Sequence, residues 1–196
     1  PQELILTDKL KKIFQKTLGE GRIDASKRAS IFHWTPLLIE ASDRTVRCSA
    51  CQMHFYYDTA NNNNCPYCKS EATNVLIFSS YLMFNENKEQ NNLHWKLIRE
   101  FNDNTISLPY RLFYPFCNKS YDKEILSLYK RGDRFYFKKT PTFKAIEITV
   151  DSGGDSSTFA NTFRFKKDKL KKPLILTYKD GNNISAIKIE MIGMIK

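Results

Sequence analysis

The first segment of the chain repeats apolar side chains at the spacing of one helical face. Thr7 is suited to cap the first turn, and Gly19 or Gly21 is suited to end the helix. The pattern predicts a helix over residues 8–18. The positions on its repeated face are Leu10, Ile13, Phe14, Thr17 and Leu18.

A second apolar run begins after Ser30 and predicts another helix, which contains Pro36. Proline lacks the backbone N–H of a helix interior and clashes with the preceding turn. Two arrangements follow: a helix capped by Ser30 that kinks at Pro36, or a helix that restarts with Thr35 as its cap. The apolar residues of the run are Ile31, Phe32, Trp34, Leu37, Leu38 and Ile39.

From residue 74 onward, short apolar runs alternate with turn sequences such as Arg131-Gly132-Asp133. This pattern predicts many short antiparallel strands, arranged as a β-sandwich or a barrel. With the helices before it, the chain is predicted to have an α+β fold. The candidate strands are residues 75–84, 95–101, 106–112, 125–129, 134–138, 145–150, 162–165, 174–178 and 184–192.

Composition and hydropathy limit the class of protein further. A hydrophobic share of 41% is enough to fill a packed core. No apolar run reaches the roughly 18 residues of a membrane span, and the beginning of the chain lacks a signal-peptide pattern, so we expect a cytoplasmic protein without a membrane partner.

We expect three parts: a helical segment (1–45), a cysteine-paired segment (46–73) and a β-rich domain (74–196).

Four cysteines form two Cys-x-x-Cys pairs, Cys48/Cys51 and Cys65/Cys68, separated by thirteen residues. Each pair can wrap one tight turn so that two thiolates converge on one face of a metal ion. The spacing predicts a zinc ribbon with a closed site of four thiolates, whose Zn²⁺ stabilises the fold and does not activate water. A redox dithiol or a disulfide is the alternative.

Other residues are candidate ligands or reactive groups. His54 follows Cys51 closely and is an alternative ligand, and Cys117 is expected to be a buried free thiol. His33, His54 and His94 form no recognisable triad with a nucleophile, so the sequence offers no catalytic residues.

The net charge of +10 is concentrated in the last third, where residues 122–196 carry sixteen basic and nine acidic side chains. The densest group of basic residues in this third is a candidate site for phosphates or another anionic partner, and a solvated loop is the alternative. This lysine cluster consists of Lys166, Lys167, Lys169, Lys171 and Lys172. Aromatic residues at strand spacing in the same third are expected in the core: Tyr129, Phe135, Tyr136, Phe137, Phe163 and Phe165.

Residues 10–38 resemble the end of the C-terminal lobe of a protein kinase. The resemblance is carried by Phe14, Gly19-Glu20-Gly21, Asp24 to Ser30, Trp34 and Leu38, although Ala25 and Ala29 replace two prolines of the kinase pattern. Val46 to Cys51, Tyr56-Tyr57-Asp58 and Cys65 to Cys68 are similar to the series that follows this lobe in bacterial tellurium-resistance and stress-associated serine/threonine kinase-like proteins.

The resemblance implies a noncatalytic regulatory and protein-interaction region, with a β-rich domain behind the ribbon. It also implies that Arg28 occupies the place of an arginine that kinases pair with a glutamate, which has no counterpart here. The chain lacks the glycine-rich loop, His-Arg-Asp and Asp-Phe-Gly motifs that phosphoryl transfer requires, so we expect no kinase activity from it. Expected partners are the rest of a kinase-like protein or a stress-response complex.

A second hypothesis comes from another class of proteins. A zinc-ribbon protein could bind nucleic acid through its basic last third, with the lysine cluster contacting phosphates. The ribbon itself is a poor phosphate binder, because residues 48–75 carry one basic and two acidic side chains. A third hypothesis is an enzyme fragment that completes its active site with another chain.

Overall fold

A computed structural model describes residues 6–57, 64–72, 74–83, 92–101, 105–114, 123–143, 147–151, 156–180 and 183–193. The chain divides into two compact units, Pro1–Thr73 and Asn74–Lys196, so the helices and the ribbon lie in one unit. The first contains the long helices and the second is dominated by antiparallel sheets, which confirms the α+β prediction.

The first predicted helix begins where its cap indicated. Helix α1 spans Asp8–Phe14, and the backbone N–H of Leu10 donates to Thr7 Oγ1 at 3.1 Å. The chain then continues as a π-helical segment over Gln15–Glu20 and a short helix α2 at Gly21–Ile23. The helix therefore does not end at Gly19, and its last part has wider turns than the sequence suggested.

The second helix, α3, spans Ile31–Asp43 without interruption and includes Pro36. A restart at Thr35 is therefore wrong, and the Thr35 hydroxyl instead donates to the carbonyl of Ile31 at 3.1 Å. Ser30 precedes the helix but does not cap it with its side chain. Helices α1 and α3 pack together through an edge-to-face contact between the rings of Phe14 and Trp34, whose centroids lie 4.8 Å apart.

The second unit is a sandwich-like pair of open antiparallel sheets, so the barrel alternative is wrong. Strands β1 (Thr45–Arg47) and β2 (His54–Tyr56) pair in the first unit. In chain order the strands of the second unit are β3 (Val75–Met83), β4 (Asn92–Glu100), β5 (Ile106–Pro109), β6 (Glu124–Arg131), β7 (Arg134–Lys139), β8 (Glu147–Asp151), β9 (Ser156–Phe159), β10 (Thr162–Lys166), β11 (Leu174–Asp180) and β12 (Asn183–Ile192). Six of these strands form one sheet in the order β4-β3-β12-β11-β8-β9, and four form the other in the order β10-β7-β6-β5.

Two details of the strand prediction are wrong. Strand β5 ends at Pro109, where the pairing with β6 shifts register, and Tyr110–Phe113 form a short helix, α4. A proline cannot donate to the ladder, which explains why the predicted strand over residues 106–112 stops early. Strand β9 was not predicted, because its residues Ser156–Phe159 include only one apolar side chain.

The core of this unit lies between the two sheets. Phe78 and Leu176 from the larger sheet and Leu128, Phe137 and Phe165 from the smaller one belong to one cluster of buried side chains. The phenylalanine prediction is confirmed for Phe135, Phe137 and Phe165, and Phe165 stacks on each of the other two. Phe163 is partly buried and packs against this core. Among the described residues, no helix is long and apolar enough to cross a membrane.

Candidate metal centre

The first cysteine pair lies in a tight turn between strands β1 (Thr45–Arg47) and β2 (His54–Tyr56). The N–H of Gln52 donates to the carbonyl of Cys48, and the N–H of Cys48 donates to the carbonyl of Met53, each at 2.9 Å. Gln52 has a left-handed φ of 63°. The turn also places the N–H of Cys51 3.5 Å from the Sγ of Cys48, which favours the thiolate form.

The second cysteine pair repeats this geometry residue by residue. The N–H of Lys69 donates to the carbonyl of Cys65, and the N–H of Cys65 donates to the carbonyl of Ser70, again at 2.9 Å. Lys69 has a φ of 65°, close to the value of Gln52. Two separate parts of the chain therefore fold into the same cysteine turn.

The two turns bring all four sulfurs together. Every pair of the four Sγ atoms lies within 4.8 Å. The Sγ atoms of Cys48 and Cys68 are 3.6 Å apart, as are those of Cys51 and Cys65. Tetrahedral coordination with metal–sulfur bonds of about 2.3 Å puts the sulfurs about 3.8 Å apart, so the cluster fits a tetrahedral ion. All four cysteines are free, and a disulfide needs sulfurs at about 2.05 Å.

Ser70 adds a hydroxyl group beside two of the sulfurs. Its Oγ lies 2.9 Å from the Sγ of Cys68 and 3.2 Å from the Sγ of Cys48. The N–H of Cys51, followed by the Ser70 hydroxyl, lowers the pKa of Cys48 to about 6, and Ser70 also lowers the pKa of Cys68. Sequence reasoning missed this residue, although its position two residues after the last cysteine was visible.

The pKa of Cys51 shifts in the opposite direction from those of Cys48 and Cys68. The N–H of Met53 favours its thiolate, but burial and the three neighbouring sulfurs outweigh this and raise the pKa of Cys51. Four thiolates at these distances repel one another unless a positive charge lies between them. The donor set and its spacing are therefore those of a metal site.

The other candidates near the site do not join it. His54 is exposed and is not part of the four-sulfur cluster, and Cys117 lies outside the described residues. Phe55 and Tyr57 are buried, as expected for side chains that cover a small ribbon, whereas Tyr67 is exposed.

The lysine cluster of the second unit begins at the last residue of β10 and continues into a 3-10 helix, Lys167–Lys171. Leu170 is buried and anchors this segment, while the five lysines are exposed. The Lys171 ammonium contacts the Asp168 carboxylate at 2.6 Å. The segment is thus an ordered turn that presents its lysines outward.

The second unit also contains a pocket of about 300 Å³ that sequence reasoning did not identify. Two guanidinium groups and two hydroxyl groups line it, together with one carboxylate. The Arg99 guanidinium donates to the carbonyl of Ile98 at 2.8 Å, and Arg111 is buried. The lining residues are Arg99, Glu100, Thr105, Ile106, Ser107, Pro109 and Arg111.

No family model, curated protein or solved structure matches this chain. The four-sulfur cluster and the surfaces of the two units are therefore the features that indicate a function.

Proposed function

We propose that this chain is a noncatalytic, zinc-binding regulatory and protein-interaction region of a bacterial kinase-like protein. The resemblance of roughly residues 4–70 to such proteins supports this, as does the packing of α1 against α3 in the unit that contains the ribbon. One observation carries the interaction role: large apolar side chains are exposed on the helical part.

Zinc is the metal that the donor set favours. Four thiolates in tetrahedral geometry suit Zn²⁺ or an iron–sulfur centre, and Zn²⁺ is the usual occupant of paired Cys-x-x-Cys turns. A closed shell of four sulfurs leaves no position for water, so the ion stabilises the ribbon and performs no chemistry. Elemental analysis of protein purified without added metal should find one zinc per chain. Iron in its place, or no metal, would contradict the assignment.

The exposed apolar side chains lie between the end of the π-helical segment and the first turn of α3. Leu18, Ile23, Ile31 and Phe32 have exposed fractions of 64%, 88%, 69% and 84%. Single exposed leucines are common, but several large apolar groups within fifteen residues indicate a surface that another protein covers. We call these four side chains the apolar patch.

A groove between α1 and α3 adjoins this patch and indicates the chemistry of the partner. The groove has a volume of about 520 Å³. Its apolar lining includes Ile13, Phe32, Pro36 and Leu37, and three lysines lie along it: Lys9, Lys12 and Lys16. Lys9 contacts the Glu40 carboxylate at 2.9 Å, so the charge that favours an acidic partner is that of Lys12 and Lys16. An amphipathic segment with apolar side chains and carboxylates beside them matches both features. The partner is therefore proposed to present an acidic, amphipathic helix.

Site-specific photocrosslinking in bacterial cells tests this interaction. A photoreactive amino acid at position 32 should crosslink to one protein, and the same group at Lys179 of the other unit serves as the matched control. The crosslinked protein is then purified, and its binding should be weakened at least tenfold by Phe32→Ser, which corresponds to about 1.4 kcal/mol.

Two results would contradict the proposal. Crosslinks at position 32 that do not exceed those at position 179 would show that the patch has no partner. A Phe32→Ser variant that unfolds the helical unit would show that Phe32 stabilises the fold, and the exposed patch would lose its interpretation as a docking surface.

A further inference from the structure

One face of the smaller sheet carries an unusual set of side chains. Residues paired across antiparallel strands lie on the same face, and every second residue points the same way. The pairing of β10, β7 and β6 therefore arranges the outward residues in three rows. The rows are Lys166–Arg134–Arg131, Arg164–Tyr136–Tyr129 and Thr162–Lys138–Ser127. Ser127, at the end of the third row, is buried, and its hydroxyl donates to the carbonyl of Lys138 at 3.3 Å.

The five cations of this face have no acidic residue among them in the three rows. We call this set, with its two tyrosines, the basic face: Arg131, Arg134, Lys138, Arg164, Lys166, Tyr129 and Tyr136. One row places three like charges directly opposite one another, which destabilises a sheet. Asp133 in the adjoining turn contacts Arg134 at 3.7 Å, at the edge of the face. Stability does not explain this arrangement, but a polyanionic ligand does.

The two tyrosines lie in the centre of the basic face. The rings of Tyr129 and Tyr136 are stacked, with centroids 5.2 Å apart and planes inclined by 8°. Both side chains are partly exposed, whereas Leu128 and Phe137, which flank them along the strands, point into the core. The sequence-based prediction that these two tyrosines belong to the core is therefore wrong. Their outer ring surface is available to a planar ligand.

We propose that the basic face binds single-stranded nucleic acid. Stacked aromatic rings on a sheet accept unpaired bases, and the surrounding cations neutralise the phosphates on either side. A duplex fits this face poorly because its bases are stacked on each other and do not reach the tyrosines. The lysine cluster continues from Lys166 into Lys167 and Lys169, so the positive surface extends past the end of β10.

This site differs from the metal centre and from the apolar patch, and it does not rest on the proposed function. The sheet provides the rigid support that a stacking platform needs, since Tyr136 lies on a strand paired on both sides. The residues that recognise the ligand come from three strands and were not adjacent in the sequence. The lysine cluster alone predicted phosphate binding. The strand register shows in addition two tyrosines that can stack on bases.

Fluorescence anisotropy of the full, metal-bound chain tests the proposal. The probes are labelled oligouridylate and oligothymidylate of about 16 nucleotides, with a mixed-sequence duplex of the same length beside them. Both single strands should bind, and the logarithm of the affinity should fall with the logarithm of salt with a slope of up to about −3.5, since each contacted phosphate contributes about 0.7. The duplex should bind more weakly than the single strands.

Variants separate stacking from charge. Tyr136→Ala should weaken single-strand binding about 5- to 150-fold, and Tyr136→Phe should leave it unchanged, because the ring is what stacks. Lys138→Glu with Arg164→Glu should reduce the salt slope by about 1.4. The matched control is Lys96→Glu with Lys179→Glu on the larger sheet, which changes the net charge equally and should retain binding. Circular dichroism confirms that each variant is folded.

Four outcomes would overturn the inference. One is the absence of binding at a salt concentration of about 50 mM. The second is equal loss of binding in the control pair, and the third is equal binding of the duplex with no effect of Tyr136→Ala. In both of these cases the chain would act as an unspecific polycation. The last is binding to vesicles of anionic phospholipid, but not to the oligonucleotides, through the same cations.

Discussion

The hydroxyl of Ser70 lies 2.9 Å from the Sγ of Cys68 and 3.2 Å from the Sγ of Cys48, so one side chain contacts a sulfur from each cysteine turn. Groups that hydrogen-bond metal ligands orient them, and their loss typically lowers metal affinity 10- to 100-fold. We expect Ser70→Ala to lower the metal affinity to this extent. Competition with a chromogenic chelator measures the affinity. Ser49→Ala, in the exposed part of the first turn, is the control and should leave the affinity unchanged.

Removal of the metal should unfold the ribbon and leave the second unit intact. Among its described residues, the ribbon has few buried apolar side chains, such as Val46, Phe55 and Tyr57, so metal binding has to supply much of its folding free energy. A chelator should therefore abolish hydrogen-exchange protection in residues 45–57 and 64–70. Strands β3 and β12 should keep theirs, because they belong to the other compact unit. Protection of residues 45–57 and 64–70 that survives complete metal removal would contradict a structural role for the ion.

Two glycines of the first unit should respond in opposite ways to alanine. A Cβ at Gly19 meets nothing within 4 Å, whereas a Cβ at Gly21 lies 2.9 Å from the carbonyl oxygen of Lys16 and 2.8 Å from Cγ of Arg28. Gly19→Ala should stabilise the helical segment by about 0.5–1 kcal/mol through its higher helix propensity. Gly21→Ala should destabilise it by about 1–3 kcal/mol, because a backbone oxygen cannot move aside cheaply. Chemical unfolding of both variants measures these changes in the free energy of unfolding. Equal changes at the two positions would contradict the prediction.

The sequence predicted those features that depend on local spacing. Thr7 indicated the start of α1, alternation indicated most strands, and the two Cys-x-x-Cys pairs indicated which four sulfurs converge. Strand β9 was missed because backbone pairing with β8, and not apolar periodicity, holds its Ser156 to Thr158 in the sheet. The short helix after Pro109 was missed because a short apolar run such as Leu112-Phe113 is compatible with a buried strand as well as with a buried helix.

Features that depend on register could not be predicted. Tyr136 and Phe137 are neighbours in an aromatic run, and only the pairing of β7 with β6 and β10 shows that the first faces outward and the second inward. The same pairing places Arg164 beside Tyr136, although the two are 28 residues apart in the sequence. Local periodicity does not determine which strands are adjacent, so the basic face was not visible before the structure.

Acid should weaken the second unit through His94. Burial lowers the pKa of His94 in the folded state, so the unfolded chain binds this proton more readily. The contribution of His94 to stability is therefore full above the ordinary histidine pKa of about 6.5 and is lost as the pH falls through that value toward the lower folded pKa. His94→Gln should flatten the fall in unfolding free energy over this range. An unchanged slope in His94→Gln would contradict this prediction.

A last prediction separates the core of the second unit from the apolar patch of the first. Phe137 is fully buried and stacks on Phe165 with ring centroids 5.3 Å apart, whereas Phe32 is mostly exposed. Phe137→Ala removes the same side chain as Phe32→Ala, but it leaves a cavity and should cost about 3–5 kcal/mol.

Phe32→Ala should change the free energy of unfolding by less than about 0.5 kcal/mol, since the site is solvated. Denaturant unfolding followed by Trp95 fluorescence in a Trp34→Phe background reports on the second unit, and far-ultraviolet circular dichroism reports on the helices. A large loss of helix stability in Phe32→Ala would mean that the exposed patch is a structural contact, and it would remove the observation on which the docking role depends.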